Sequence, residues 1–289
     1  MSVRVASNTV EAVLEQYQRD LGTLYERGEV RAIAASVFFD RLGWDAGEVM
    51  VNRASALSES ELLKVILPLK RLRKGEPLQY VLGSTDFHGL RIGVDRHVLI
   101  PRPETEELVD LAIRAQEAPP RRILDIGTGS GCIALALKKA FPAAEVTGMD
   151  VSAEALRCAS GNGKDLGLDV HWLQADILSP EVALPAADLV ISNPPYIPQA
   201  EEAAMHANVL EHEPHLALFV PDADPLLFYR AIARKALVAL PPGGQLWFEG
   251  HFLHAPAVAE LLRGLGYGSV NVFPDLSGQP RIIRGKWEG

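Results

Sequence analysis

The chain has 289 residues, 48% of them hydrophobic and 22% charged, which is enough for one large domain or two modest ones with a sizeable core. A formal charge of −9 argues against a broad nucleic-acid-binding face, and no apolar run approaches the ~20 residues of a membrane span. The first twenty residues carry Glu11, Glu15 and Asp20 and show no apolar core of a secretory leader, so a cytoplasmic protein is expected. Cys132 and Cys158 both fall in predicted helices, which fits a reduced compartment without a disulfide framework.

Residues 1–85 read as a helical N-terminal domain. Val10, Val13, Leu14, Tyr17 and Leu21 recur at helical spacing, and Arg31 to Leu42 forms a second amphipathic stretch with Ile33, Val37, Phe38 and Leu42 inward. Ser58 and Glu61 have capping-box spacing before the apolar residues Leu62, Leu63, Ile66, Leu67 and Leu69. The cluster Lys70-Arg71-Leu72-Arg73-Lys74 closes that helix where its dipole favours cations, and Gly75 reads as the stop. A solvated helix end is the favoured reading of the cluster, ahead of a docking patch for an acidic or RNA-bound partner. Residues 86–100 then suggest a linking β-hairpin, with strands in Asp86–Val94 and His97–Ile100. Pro101 to Glu107 opens a helix, because proline and acids both suit a first turn.

From Arg121 onward strands and helices alternate. Strands are predicted at 122–126, 145–150, 170–174, 187–192, 245–249, 269–273 and 281–284. Helices are predicted at 130–141, 153–166, 225–240 and 255–265. Such alternation predicts an α/β fold with a doubly wound, mostly parallel sheet, whose ligands bind beyond the C-terminal ends of the strands. Asp125, Asp150, Asp176 and Asn193 all fall at or just past such ends.

Asp125-Ile126-Gly127-Thr128-Gly129-Ser130-Gly131 joins the first of these strands to its helix, where glycine lets a ligand approach the backbone closely. Asp150 follows Gly131 by nineteen residues, an offset at which an acid accepts hydrogen bonds from ribose hydroxyls. Asp176 ends the next strand and suits an adenine amino group. A nicotinamide dinucleotide would require glycine or alanine at 132, where Cys132 stands. The carboxylate of Asp125 before the loop would repel a pyrophosphate but suits an ammonium group. The set points to S-adenosylmethionine, which combines ribose, adenine and a charged methionine tail without phosphate.

Asn193-Pro194-Pro195-Tyr196 follows the apolar run 187–192. The two prolines stiffen the exit from the strand and contribute no N–H. The Asn193 side-chain oxygen and the Pro194 carbonyl can then both face a ligand, and two fixed acceptors suit a planar –NH2 group. The Tyr196 ring could cover that group's face. An ordinary strand-to-loop exit is the bland alternative, and the preceding glycine loop decides against it.

The glycine loop, Asp150 and Asn-Pro-Pro-Tyr together resemble the amino-methyltransferases. More closely, the chain resembles the peptide chain release factor N5-glutamine methyltransferase family from about residue 75 to its end. The matching stretches are Gly75 to Tyr80, Phe87-His88-Gly89, Ile100 to Glu106, Asp125 to Gly131, Asn193 to Ile197, Glu213-Pro214 with Ala217-Leu218, and Asp275-Leu276 with Gly278 and Arg281. The resemblance implies a Rossmann-like methyltransferase domain over 101–289 that consumes S-adenosylmethionine and releases S-adenosylhomocysteine. It also implies methylation of the glutamine in the Gly-Gly-Gln loop of class I release factors. Carried onto this sequence, it implies that Gly127, Thr128, Gly129, Ser130, Gly131, Asp125 and Asp150 hold the cofactor, that Asp176 and Ile177 border the adenine, and that Asn193 touches both ligands. Asn193, Pro194, Pro195 and Tyr196 would then hold the substrate amide, and Arg102 and Glu104 would shape the methionine end. The helical domain 1–85, which precedes the resemblance, is assigned to substrate docking, with support of the hairpin as the alternative. One departure is at Glu249, after which the family has glycine two residues on and glutamine five residues on; here His251 and His254 stand there.

Two rivals remain. A DNA adenine or cytosine amino-methyltransferase would use the same tetrapeptide on a base, but needs a basic surface. A module that only binds a nucleotide-like ligand would have no use for an amide clamp. No metal is expected, because the pairs His212/His215 and His251/His254 lack further ligands at metal spacing and read as surface or capping histidines. Cys132 reads as packing rather than a nucleophile.

Overall fold

The computed structural model describes residues 7–289 and divides into two units, Met1–Gly83 with Ala207–His212, and Ser84–His206 with Glu213–Gly289. Met1 to Ala6, the start of the expected helical domain, lie outside the described residues. The first unit contains α1 (Val10–Leu21), α2 (Arg27–Leu42), α3 (Ala46–Val51), α4 (Glu59–Ile66), α5 (Leu69–Leu72) and α6 (Leu78–Leu82). Thr9 caps α1, and reciprocal capping boxes start α3 (Asp45/Glu48) and α4 (Ser58/Glu61). Val10, Val13, Tyr17, Val37, Phe38, Val65, Leu69 and Leu72 form the core, and the buried Tyr17 hydroxyl donates to the Val65 carbonyl at 2.6 Å. The helix expected to run into the basic cluster is divided at Pro68, which has no N–H to donate. Within the cluster, Arg71 pairs with Glu76 and donates to the Tyr80 carbonyl at 3.0 Å, so it is a local clamp, while Lys70 and Lys74 are exposed.

The second unit begins with a hairpin, β1 (Ser84–Phe87) and β2 (Leu90–Gly93), in which Phe87 faces Leu90 across a two-residue turn. His88 and Gly89 have φ of 48° and 69°, the left-handed values of a type I′ turn. The turn thus lies earlier in the chain than the alternation suggests, and His97 to Ile100 make no ladder. The chain then runs α7 (Pro103–Arg114), β3 (Arg122–Ile126), α8 (Cys132–Ala140), β4 (Glu145–Asp150), α9 (Ala153–Leu166), β5 (His171–Gln174), β6 (Leu189–Ser192) and β7 (Ile197–Pro198). The short helix α10 (Ala207–His212) belongs to the helical unit. After it come β8 (Phe219–Val220), α11 (Leu227–Ala239), β9 (Gln245–Glu249), α12 (Ala255–Gly264), β10 (Gly268–Pro274) and β11 (Pro280–Lys286).

Seven strands form one sheet in the order β10-β11-β9-β6-β3-β4-β5, with β11 antiparallel to both neighbours and the other pairings parallel. This is the doubly wound, mostly parallel sheet expected from the alternation. All four residues of β6 are buried, as are Ile123 to Ile126 of β3, because helices cover both faces. Asp188 sets the start of β6: its carboxylate accepts from the backbone N–H groups of Arg121 and Arg122 at 3.0 and 2.9 Å. From β3 the chain moves outward through β4 and β5, then returns to place β6 on the other side of β3. That reversal opens a crevice between the C-terminal ends of β3 and β6.

Candidate active site

A cavity of about 460 Å³ occupies this crevice. Its wall includes Gly127, Thr128, Gly129 and Ser130 after β3, Asp150 after β4, Asp176 and Ile177 after β5, and Asn193, Pro194 and Pro195 after β6. Val98 and Leu99, from the segment expected as a strand, and Pro101, from the expected helix start, close another side. The structure therefore gathers most of the sequence-predicted residues at one place, including residues more than sixty positions apart.

The glycine loop is shaped from below. Gly131 has φ of 80°, and a Cβ there would meet the Trp172 ring at 2.8 Å. Gly148 on β4 leaves room for the same ring, since a Cβ would lie 2.5 Å from it. Both positions exclude any larger residue while Trp172 fills the space. Asn162 holds the other side: its amide donates to the carbonyls of Ser130 at 2.8 Å and Gly93 at 2.9 Å, and its oxygen accepts from the Gly93 N–H at 2.7 Å. Sequence reasoning passed over Asn162, a lone polar residue within a predicted helix.

Asp150 accepts from the Gly129 N–H on one oxygen and from the Ser152 N–H on the other, both at 2.9 Å. Each carboxylate oxygen can accept more than one hydrogen bond, so both remain available to ligand hydroxyls. Burial pushes this carboxyl up from its ordinary value, against the pull of those N–H groups. Asp176 is exposed at the rim, anchored through the Leu178 N–H at 2.9 Å.

Asp125 departs from the expectation of a direct ligand contact. It is fully buried beneath the loop and lies off the cavity wall. One oxygen accepts from the Thr128 hydroxyl at 2.6 Å and the Ala134 N–H at 3.2 Å, and the other has no partner among the described residues. Its role is to tie the loop to the first turn of α8. Burial pushes its carboxyl up to about 7 from an ordinary 3.8. The folded state thus binds a proton that the unfolded chain releases, and stability falls as pH rises from about 4 to about 7. Asp125→Asn cannot ionise. Its melting temperature is expected to drop about 4 °C less than the parent's between pH 5 and pH 8, the equivalent of ~2–3 kcal/mol. Equal drops in thermal melts of both proteins would reject this account.

The end of β6 is locked by a chain of side chains. Asn193 Nδ2 donates to Thr105 Oγ1 at 3.1 Å, Thr105 Oγ1 donates to Glu249 Oε2 at 2.7 Å, and the Tyr196 hydroxyl donates to Glu249 Oε1 at 3.2 Å. Glu249 is buried at the end of β9, and burial raises its carboxyl while the Thr105 and Tyr196 hydroxyls and the charge of Arg281 oppose the rise. Asn193 Oδ1 and the Pro194 carbonyl accept no hydrogen bond from any described residue. Tyr196 differs from its three predecessors: it stands off the cavity wall with its hydroxyl committed to Glu249. Thr105 lies at the start of α7 and Glu249 at the end of β9, and nothing local in the sequence marks them as partners.

The remaining residues singled out in the sequence have structural settings. Arg102 donates at 2.5 Å to the buried Glu213, which also accepts from the Ile100 N–H at 3.2 Å, so this pair fixes the segment that carries the lining residues Leu99 and Pro101. His251 Nε2 lies 3.3 Å from Glu201 Oε2, and its ring contacts those of Phe252 and His254. Neither cysteine is in a disulfide, and burial pushes both thiols up to about 12, far from nucleophilic use. Among the described residues there is no group of three His, Cys, Asp or Glu placed to hold a metal, and no helix is long and apolar enough to cross a membrane.

Comparisons with known proteins agree with this geometry. The family model described as Methyltransferase small domain matches residues 109–217, and that described as PrmC N-terminal domain matches residues 12–83. A release factor glutamine methyltransferase of Bacteroides thetaiotaomicron is 41% identical over 280 residues, covering 96% of this chain and 98% of the relative. One from Flavobacterium psychrophilum is 42% identical over 273 residues, 93% of this chain and 96% of the relative. A methyltransferase structure from Pyrococcus furiosus matches with a TM-score of 0.51 at 19% identity, covering 70% of this chain and 90% of that one, which shows a common fold. With near-complete relatives at this identity, the chain belongs to the release factor glutamine methyltransferase family.

Proposed function

We propose that this enzyme methylates the side-chain amide nitrogen (N5) of the glutamine in the Gly-Gly-Gln motif of class I peptide chain release factors, using S-adenosylmethionine, in the cytoplasm. One observation carries the reading. Asn193 and Pro194 are neighbours on the wall of a cavity built by a glycine loop, and among the described residues neither Asn193 Oδ1 nor the Pro194 carbonyl has a donor.

The cavity residues fit the cofactor. Asp150 keeps acceptor capacity for ribose hydroxyls, and Asp176 and Ile177 offer a polar edge and an apolar surface for adenine. Carboxylates of Asp150, Glu154 and Asp176 favour a cationic ligand over a pyrophosphate. When bound, the cofactor supplies an electrophilic methyl group on a sulfonium.

The protein's part follows from the weakness of an amide nucleophile, whose nitrogen lone pair is delocalised into its carbonyl. Asn193 Oδ1 and the Pro194 carbonyl would take both N–H bonds and so fix the amide plane and the direction from which its nitrogen reacts. As positive charge develops on that nitrogen, the same two oxygens stabilise it. The nitrogen becomes acidic only as the transfer proceeds, so a strong base is not needed beforehand, and its surplus proton passes to water afterwards. Tyr196 stands behind the wall and, through its hydroxyl on Glu249, holds the end of β6 in place, and the helical unit docks the release factor.

A DNA amino-methyltransferase is disfavoured by the charge of −9. The test offers methyl-labelled cofactor with a class I release factor and with plasmid DNA. Label in the release factor alone is expected; label in DNA alone would reverse the assignment.

A further inference from the structure

We propose that Glu249 is a positioning residue which, through the Thr105 hydroxyl, decides which end of the Asn193 carboxamide faces the substrate. The inference rests on Asn193 acting as the amide clamp. A carboxamide has nearly the same shape in either orientation, so packing alone does not choose between oxygen and nitrogen. Reversed, Asn193 would present two N–H donors to a substrate –NH2, and the clamp would repel what it should hold.

The direction of the hydrogen bonds settles the choice. A carboxylate only accepts. Glu249 Oε2 therefore takes the single Thr105 proton at 2.7 Å, and Thr105 is left with lone pairs towards its other neighbour. Asn193 must answer with Nδ2, as it does at 3.1 Å, so Oδ1 is released for the substrate. Glu249 is itself immobilised. It lies in the sheet opposite Ile282, its backbone carbonyl accepts from the Tyr229 hydroxyl at 3.2 Å, and its Oε1 accepts from Tyr196 at 3.2 Å. Arg281, held by Asp275 at 2.9 Å, acts on Glu249 with a positive charge, and Glu104 acts on it more weakly with a negative one. The chain crosses three elements, α7, β9 and the exit of β6, so its direction is imposed by the fold rather than by Asn193's own neighbours. It also links the tyrosine and asparagine of one tetrapeptide through a single carboxylate.

The experiment uses the full-length protein with Thr105→Val, Thr105→Ser and Glu249→Gln. Thr105→Val keeps the shape and removes the hydroxyl. It is expected to lower kcat on the release factor about 100-fold, with the cofactor dissociation constant unchanged within about twofold. Thr105→Ser restores the hydroxyl and is expected to recover kcat to within about threefold of the parent. Glu249→Gln, whose amide can donate as well as accept, is expected to lose kcat as Thr105→Val does. A second readout needs no turnover: in protein labelled with 15N-asparagine, the Asn193 side-chain NH2, assigned through Asn193→Asp, is expected to exchange slowly in the parent and in Thr105→Ser. In Thr105→Val it is expected to exchange rapidly.

Equal kcat losses in the serine and valine variants, or parental kcat in Thr105→Val, would overturn the proposal. So would slow exchange of the Asn193 NH2 that survives Thr105→Val. If the parent itself failed to methylate the release factor, the functional reading would fall, while the exchange measurement would still judge the relay on its own terms.

Discussion

Asn193→Ala is expected to lower kcat at least ~1,000-fold, or ~4 kcal/mol of transition-state stabilisation, while cofactor affinity changes by less than about threefold. The split follows from where the side chain's capacity is directed. Nδ2 is occupied by Thr105 at 3.1 Å and Oδ1 remains for the substrate. Alanine removes one of two acceptors that orient a poor nucleophile and stabilise the charge it develops, an electrostatic contribution made in the transition state. It also leaves the Thr105 hydroxyl without its second partner, a small structural cost set against the anchoring at Glu249. The check is steady-state kinetics on a release factor together with calorimetric titration of cofactor. Turnover near the parental rate would remove Asn193 from the mechanism.

Asp150→Ala is expected to act on the opposite side of that split. It should raise the cofactor dissociation constant ~100-fold, with kcat at saturating cofactor falling less than ~10-fold. Two charge-assisted hydrogen bonds to ribose hydroxyls, at roughly 1.5 kcal/mol each, account for a factor of that size. The same substitution releases the Gly129 and Ser152 N–H groups, now held at 2.9 Å, so the loop that carries the rest of the cavity wall loosens with it. Calorimetry measures this directly, and unchanged affinity would show that the ribose is held elsewhere.

What the sequence made legible was what short spacing encodes. The glycine loop, Asp150 at the next strand end, and Asn193-Pro194-Pro195 each lie where a strand stops, and the alternation of elements orders those strands. The sheet places Gly127 and Asn193 on one cavity because β3 and β6 are neighbours. The misses came from long-range contacts and from burial. Asp125 reads as a ligand group by position, yet β3 is covered on both faces and its carboxylate turns to Thr128 and Ala134 instead. Thr105 and Glu249 meet across 144 positions, and no local pattern announces such a pair. The hairpin turn was misplaced because alternation in 86–94 hid the left-handed pair His88-Gly89. The two-residue strands β7 and β8 are too short for periodicity to reveal.

The most direct test of the central claim is the position of the transferred methyl. A class I release factor incubated with this enzyme and cofactor should yield a Gly-Gly-Gln peptide heavier by one methylene, with fragment ions placing the gain on the glutamine side-chain nitrogen. The gain should be absent when Asn193→Ala replaces the parent. A methyl on any other residue, or on the glutamine with Asn193→Ala at the parental rate, would contradict a paired-oxygen clamp for a neutral carboxamide.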